Sequence, residues 1–157
     1  MKLESLHWFR VALLTLAIGF GNVGCQSPHG QTAGSGNLAS VEITGRTTED
    51  IQRMAVAVFT EDYYKLAWQS GGLMVFEKEG SRANNLAYGG LVSGETVVVR
   101  VKLVVEELAP GSHLVRSDAF MVRGAGNSFF EEEVPVHKPR RRPYQGYLDQ
   151  IKKRLAS

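Results

Sequence analysis

Cysteine and histidine, from which redox and metal centres are most often built, are scarce in this sequence. Its 157 residues contain one cysteine and four histidines. One cysteine cannot form an internal disulfide, and the histidines are far apart, with no His-x-x-x-His spacing. We therefore expect neither a disulfide framework nor a metal site, and no pattern indicates a cofactor.

Long apolar runs and a strong net charge are also missing. Hydrophobic residues make up 43% and charged residues 22% of the chain, and the formal net charge is +2. These values are close to those of average soluble domains, so a disordered, collagenous or multi-span membrane protein is not expected. The length allows one modest domain and excludes a large multidomain enzyme.

The N-terminal segment has the plan of a signal peptide. Lys2 and Arg10 precede the apolar run Val11–Gly21, and small residues follow directly. The run is shorter than the roughly 20 residues that a helix needs to cross a bilayer, so no permanent transmembrane anchor is expected. A core helix of a cytosolic protein is the alternative, which is disfavoured because the run ends in Gly-Asn-Val-Gly.

The single cysteine follows this segment in the run Asn22-Val23-Gly24-Cys25. The run resembles the lipobox of bacterial lipoprotein precursors, with Val23, Gly24 and Cys25 at its last three positions. The resemblance implies that residues 1–24 are removed and that Cys25 is diacylated and then N-acylated, with fatty acids such as palmitate. Asn22 departs from the pattern, since an apolar residue is usual there, and cleavage by the ordinary signal peptidase stays open.

Residues 25–40 form the predicted lipidated N-terminus and a linker rich in Gly, Ser and Gln. Such a linker is flexible and spans about 20 Å, while two or three acyl chains hold a protein stably on a bilayer. We therefore expect an exported domain, anchored by lipid to the cell membrane or outer membrane and lying in the periplasm or outside the cell. By the same resemblance, Gln26 after the cysteine favours the outer membrane in envelopes that have a lipoprotein-sorting pathway.

Residues 41–157 are predicted to fold as one domain. Val41–Thr44 reads as a strand, and Thr47 with Asp50 resembles a capping box at a helix start. Apolar residues then recur at helical spacing, which predicts an amphipathic helix continuing toward Leu66. The apolar residues are Ile51, Met54, Ala55, Val58 and Phe59.

The clearest strand is predicted at Thr96–Leu108. Apolar residues alternate with polar ones, which predicts a sheet with one buried and one solvated face. The apolar row is Val97, Val99, Val101, Leu103 and Val105, and the polar row includes Thr96, Arg100, Lys102 and Glu106. Further strands are predicted at Leu73–Lys78 and His113–Arg123, a weaker one at Asn84–Leu91, and an extended segment at Ser128–Val136.

Apolar spacing predicts a second amphipathic helix at the C-terminus, through Tyr144, Tyr147, Leu148, Ile151 and Leu155. The order strand, helix, strands, helix predicts a two-layer α+β domain, with both helices on one face of an antiparallel sheet. In topology, Val41 to Leu155 resembles the helix-grip domains, including those of the lipoprotein subunit of the outer-membrane barrel-assembly machinery.

The C-terminal part carries a basic cluster, Lys138, Arg140, Arg141 and Arg142. These residues are candidates for contact with a polyanion such as anionic lipid head groups or a glycan. The alternatives are that they pair with Glu131–Glu133 or form a solvated connector. Nucleic acid is not expected, because its binding needs a supporting fold or an aromatic stacking pattern and an exported chain rarely meets it.

Three other groups carry weaker signals. Tyr63, Tyr64 and Trp68 either line a ligand groove or pack in the core. The carboxylates of Glu131–Glu133 are predicted to lie on a solvated face and not to form a cation site, because neighbouring side chains in an extended segment point to opposite sides. A hydrolase triad drawn from Ser112, His113, Ser117 and Asp118 lacks a nucleophile elbow and is not expected.

The signal peptide, the lipidated linker and the lack of convergent catalytic groups together predict a non-enzymatic accessory domain that binds another cell-envelope protein. The alternative is a carrier of an apolar small molecule or lipid. An enzyme with a site that no motif reveals is a weaker third hypothesis. A filled core favours the first, an apolar cavity the second, and a cleft with converging titratable groups the third.

Replacing Cys25 with Ala or Ser is expected to abolish acylation and to release the domain from membranes, because the thiol is the predicted point of lipid attachment. Membrane fractionation with an intact-mass measurement checks this. A variant that stays fully membrane-bound would show that lipid is not the anchor, and would direct attention to Arg140–Arg142 or to the apolar leader.

Overall fold

The computed structural model describes residues 38–89, 96–127 and 129–157, and in them the chain is an α+β protein, as predicted. It contains a six-stranded antiparallel sheet that is not closed, three helices and a short 3₁₀ helix. The elements in chain order are β1 (Ala39–Thr44), α1 (Thr48–Glu61), β2 (Lys65–Ser70), β3 (Leu73–Glu79), α2 (Arg82–Tyr88), β4 (Val98–Ala109), β5 (Ser112–Arg123), β6 (Glu132–Pro135), the 3₁₀ helix (Lys138–Arg140) and α3 (Arg142–Ala156).

The sheet is built around the long β4–β5 hairpin and has the strand order β1-β5-β4-β3-β2. β1 pairs with the first half of β5 and β6 with its second half, so both flank the same side of that strand. Gly111 allows the β4–β5 turn, since its φ of +76° is rarely adopted by other residues. β2 is therefore the outermost strand on the opposite side.

The main core lies on the sheet face that carries the predicted apolar row of β4. All five residues of that row are buried, which confirms the alternation. α1 and α3 contact each other and contribute their apolar stripes to the same cluster. Its members from these helices are Ile51, Ala55, Val58, Phe59, Tyr144, Leu148, Ile151 and Leu155.

α1 begins as predicted and ends earlier than predicted. The Asp50 N–H donates to the Thr47 hydroxyl at 3.2 Å, which caps the first turn. The helix ends at Glu61, so the expectation that it continues toward Leu66 is wrong. The chain turns out of the helix at Tyr63 and returns as β2.

The weak strand predicted at Asn84–Leu91 is also wrong within the described residues, where Arg82–Tyr88 forms α2. The Ser81 hydroxyl caps this helix by accepting the Asn84 N–H at 3.2 Å. Asn85 then accepts the Val97 N–H at 3.0 Å and ties the helix to the start of β4. Residues 90 and 91 lie outside the described part.

The second face of the sheet is not solvated where the sequence predicted it to be. Arg100 and Lys102 are only 5% and 3% exposed. Glu131 and Glu133 lie over them: the guanidinium of Arg100 is 2.5 Å and 2.7 Å from these carboxylates, and the Lys102 ammonium is 2.8 Å from Glu133. Glu77 of β3 adds a third carboxylate at 2.6 Å from Arg100.

The carboxylates reach this face because the segment before β6 folds back over the sheet. Gly124 has a φ of +62°, and a Cβ there would lie 2.8 Å from the Phe130 carbonyl oxygen, so only glycine fits. The prediction that these glutamates are solvated is thus wrong for Glu131 and Glu133, whose side chains both point toward Arg100. It holds only for Glu132 between them, which is exposed.

Burial opposes a charge on Arg100, but the hydrogen bonds that it donates to the three carboxylates outweigh this effect, so the pKa of its guanidinium is raised. Arg100 therefore stays protonated at every physiological pH.

In the described part of the chain, no helix is long and apolar enough to cross a membrane.

Arg100→Ala is expected to lower the free energy of unfolding by about 3 to 5 kcal/mol, because it leaves buried carboxylates without their counterion. Arg123→Ala is the matched control, since Arg123 forms an exposed cross-strand pair with Glu132 in the same sheet and should cost less than about 1 kcal/mol. Urea unfolding of both variants checks this. Equal losses would contradict a special role for Arg100.

Candidate functional site

A groove of about 1140 Å³ lies where α1 ends and α3 begins. Its walls come from Asp62–Ala67, the ends of β3 and β4, the start of α2, the 3₁₀ helix and the first turn of α3. The lining combines an aromatic group, an apolar floor and a charged rim. The aromatic residues are Tyr63, Tyr64, Tyr144 and Tyr147, and the floor consists of Val99, Met121 and Val136. The charged residues of the rim are Asp62, Lys65, Glu77, Lys78, Glu79, Arg140 and Arg142.

Tyr63 enters the groove from the C-terminal cap of α1. The Tyr64 N–H donates to the Phe59 carbonyl at 3.1 Å and the Tyr63 N–H donates to the Thr60 carbonyl at 3.0 Å, which is the bonding pattern of a Schellman cap. Glycine is usual at this position because φ is positive, yet Tyr63 has a φ of 64°. Its side chain is 86% exposed, so core packing gains nothing from it.

Tyr64 forms the buried wall of the groove. Its ring packs edge-on against Phe59, with centroids 5.3 Å apart, and edge-on against Tyr147 at 6.0 Å. Burial and the neighbouring tyrosines raise the pKa of its phenol. Of the three aromatic residues singled out in the sequence, Tyr63 and Tyr64 therefore line the groove, whereas Trp68 lies half-buried in β2 outside its lining.

Asp62 links the two helices at the base of the groove. Its carboxylate accepts a hydrogen bond from Tyr147 of α3 and lies 2.5 Å from the Lys78 ammonium of β3. Burial acts to raise the pKa of Asp62, but these two donors outweigh it and the pKa is lowered. Burial and the bond to Asp62 raise the pKa of Tyr147, so its hydroxyl stays a donor.

The basic cluster predicted from the sequence is divided by the structure. Arg140 and Arg142 line the groove, whereas Lys138 and Arg141 are exposed outside its lining. Arg140 donates to the Tyr88 hydroxyl at 3.0 Å. The alternative in which the cluster pairs with Glu131–Glu133 is wrong, because Arg100, Lys102 and Arg123 occupy those carboxylates.

The charges of the rim do not cancel. Lys78 is paired with Asp62, and Glu77 is engaged by Arg100 outside the groove. Within the described residues, Lys65, Arg140 and Arg142 form no ion pair, and Glu79 is the lining carboxylate that also lacks one. The groove therefore offers three cations without an ion pair against one such carboxylate, although Arg140 also contacts Tyr88, and this balance favours an acidic ligand.

Three of the four residues considered for a catalytic triad have separate partners, and the buried hydroxyl of the fourth, Ser117, forms no hydrogen bond among the described residues. The Ser112 hydroxyl donates to Glu42, one ring nitrogen of His113 contacts the Thr48 hydroxyl at 3.1 Å, and Asp118 accepts the Leu38 N–H at 3.1 Å. Among the described residues, no three His, Cys, Asp or Glu side chains form a group that could hold a metal ion.

Cys25, the predicted signal peptide of residues 1–24 and most of the predicted linker of residues 25–40 lie outside the described residues. No protein-family model matches this chain, and no curated protein matches it in sequence.

Tyr63→Gly is expected to raise the free energy of unfolding by about 0.5 to 1 kcal/mol, because glycine adopts the left-handed conformation without strain. Tyr63→Ala keeps the strain, loses the same ring and serves as the control. Thermal or urea unfolding checks the difference. A glycine variant no more stable than the alanine variant would contradict the strain at this cap.

Proposed function

We propose that this chain is a lipid-anchored, non-enzymatic domain of the bacterial cell envelope, and that its groove binds another envelope protein. The observation that carries the proposal is the meeting of exposed Tyr63 with the free cations Lys65 and Arg142 in one groove. Tyrosine and arginine are the residue types that dominate binding energy at protein interfaces. A strained, exposed aromatic residue is explained by binding and not by folding.

The proposed anchor is Cys25, acylated after removal of residues 1–24 by a signal peptidase. The uncharged linker that follows lets the domain reach partners about 20 Å from the bilayer. The run Asn22-Val23-Gly24-Cys25 supports this proposed location. Export, as proposed, would in turn favour an envelope protein as the partner.

A two-layer arrangement fits this proposal. With α1 and α3 together on one face of the sheet, the end of one helix and the beginning of the other form a notch over the strand ends. The Asp62–Tyr147 hydrogen bond supports such a junction, and the shared apolar cluster of both helices supports their common face.

The second candidate function is a carrier for a small molecule or lipid with an apolar part. The groove volume of about 1140 Å³ is slightly above the roughly 300 to 1000 Å³ of small-molecule sites, so the groove is large enough for such a ligand. Val99, Met121 and Val136 give the groove an apolar floor. The free cations of the rim would then meet an acidic head group.

Arg142→Glu is expected to reduce recovery of the bound envelope protein by about fivefold to tenfold, as for a loss of about 1 to 1.4 kcal/mol. Lys152→Glu is the matched control, because it makes the same charge change at an exposed position of α3 outside the groove. The measurement is quantitative mass spectrometry of proteins recovered from membranes after mild crosslinking.

Equal recovery with both variants would contradict the groove as the protein-binding surface. A specifically retained small molecule that is lost in Arg142→Glu, with no crosslinked protein, would establish the carrier instead. Native mass spectrometry of the same samples detects that molecule.

A further inference from the structure

The two sides of the sheet differ in what covers their outer strands. On the β1 side, the side-chain amide of Gln145 in α3 occupies the Ser40 backbone: Ser40 N–H donates to it at 3.3 Å and the Ser40 carbonyl accepts from it at 3.0 Å. On the β2 side, no backbone group of β2 bonds to anything but β3 within the described residues. Five of the six β2 residues are exposed.

The register shows which backbone groups of β2 are free. The Val105 N–H donates to the Gly72 carbonyl at 2.8 Å, so the Gly72 backbone faces β4. Backbone groups alternate sides along a strand, hence Met74 also faces β4 and does not bond to its β2 partner Gln69. The Gln69 N–H and carbonyl therefore face away from the sheet, toward any strand that adds to β2.

This free edge leads into the groove. Lys65, Leu66 and Ala67 belong both to β2 and to the groove lining. A strand that adds to β2 beside Gln69 therefore leads toward the groove, which Lys65 and the rim arginine Arg142 both line. Main-chain bonds to the edge would supply affinity, and the groove would select the side chains.

Charge decides which occupant fits. β2 contains Lys65 and no acidic residue, so a second copy of β2 offers no charge complement. The linker of residues 25–40 contains no acidic residue either. An extended segment with carboxylates beside an apolar stretch complements both the free cations and the exposed Leu66.

We infer that the partner of this domain contributes an extended acidic segment, which adds to the sheet as a strand beside β2 and places its carboxylates in the groove at Lys65 and Arg142. This inference rests on the proposed function and specifies the chemistry of the bound segment.

The test uses the purified domain with its linker and a fluorescent peptide of about eight residues, in which valine and threonine alternate before two terminal aspartates. One peptide carries the two aspartates at its N-terminal end and a second carries them at its C-terminal end. A control peptide carries lysines in place of the aspartates. Fluorescence anisotropy measures affinity. The aspartate peptide is expected to bind at least about tenfold more tightly than the lysine peptide.

The Gln69 backbone is tested in two ways. Gln69→Pro removes the outward N–H and is expected to weaken binding about tenfold. Gln69 also donates a side-chain hydrogen bond to Gln52, which in turn donates to the Gly71 carbonyl. Gln52→Ala removes both bonds and leaves the Gln69 N–H, so it is the control and should bind as the unchanged protein does. Exchange of the Gln69 amide hydrogen in the unchanged protein is expected to slow when peptide is added.

An unchanged exchange rate at Gln69 on peptide binding, or equal affinities of Gln69→Pro and Gln52→Ala, would overturn the inference. So would a Gln69 amide already protected in the free protein, either through a concentration-dependent dimer or through the linker. If the peptide fails while crosslinking of the envelope protein still depends on Arg142, only this inference fails. If the peptide does not bind and crosslinking does not depend on Arg142, the proposed function fails together with this inference.

Discussion

The arrangement of the C-terminal third depends on the buried charge of Arg100. Placing a guanidinium inside a sheet face is costly unless carboxylates surround it, and Glu131 and Glu133 supply them from the segment that becomes β6. β6 therefore lies beside β5, and Val136 after it bonds to Ala119 and reaches the groove floor. The same constraint thus positions the 3₁₀ helix and the arginines that follow it.

A second constraint operates at the other wall of the groove. The Schellman cap at the end of α1 reverses the chain, so one short segment supplies Asp62 to α3, Tyr64 to the core and Tyr63 to the groove. The backbone strain of Tyr63 is not offset by packing of its side chain, because the ring is exposed. Its cost in stability and its place beside free cations are consistent with a surface built for binding.

Part of this could be predicted from the sequence because it depends on local periodicity. The alternation in β4 and the apolar stripes of α1 and α3 follow directly from one face of each element being buried. β2 was missed because the α1 cap has tyrosine where glycine would have marked the end of a helix. The burial of Arg100 was missed because its partners Glu131 and Glu133 lie 31 and 33 residues away along the chain. Tyr63 and the basic cluster were each singled out, but only the tertiary structure brings Tyr63, Arg140 and Arg142 into one groove.

The most direct test of the account is site-specific photo-crosslinking in cells, with a photoreactive phenylalanine derivative in place of Tyr63. The same derivative in place of Phe129, an exposed aromatic residue outside the groove lining, is the control. The account predicts a discrete adduct with one envelope protein from position 63 and not from position 129. The same adducts from both positions, or no protein adduct from position 63, would contradict the groove as the binding surface.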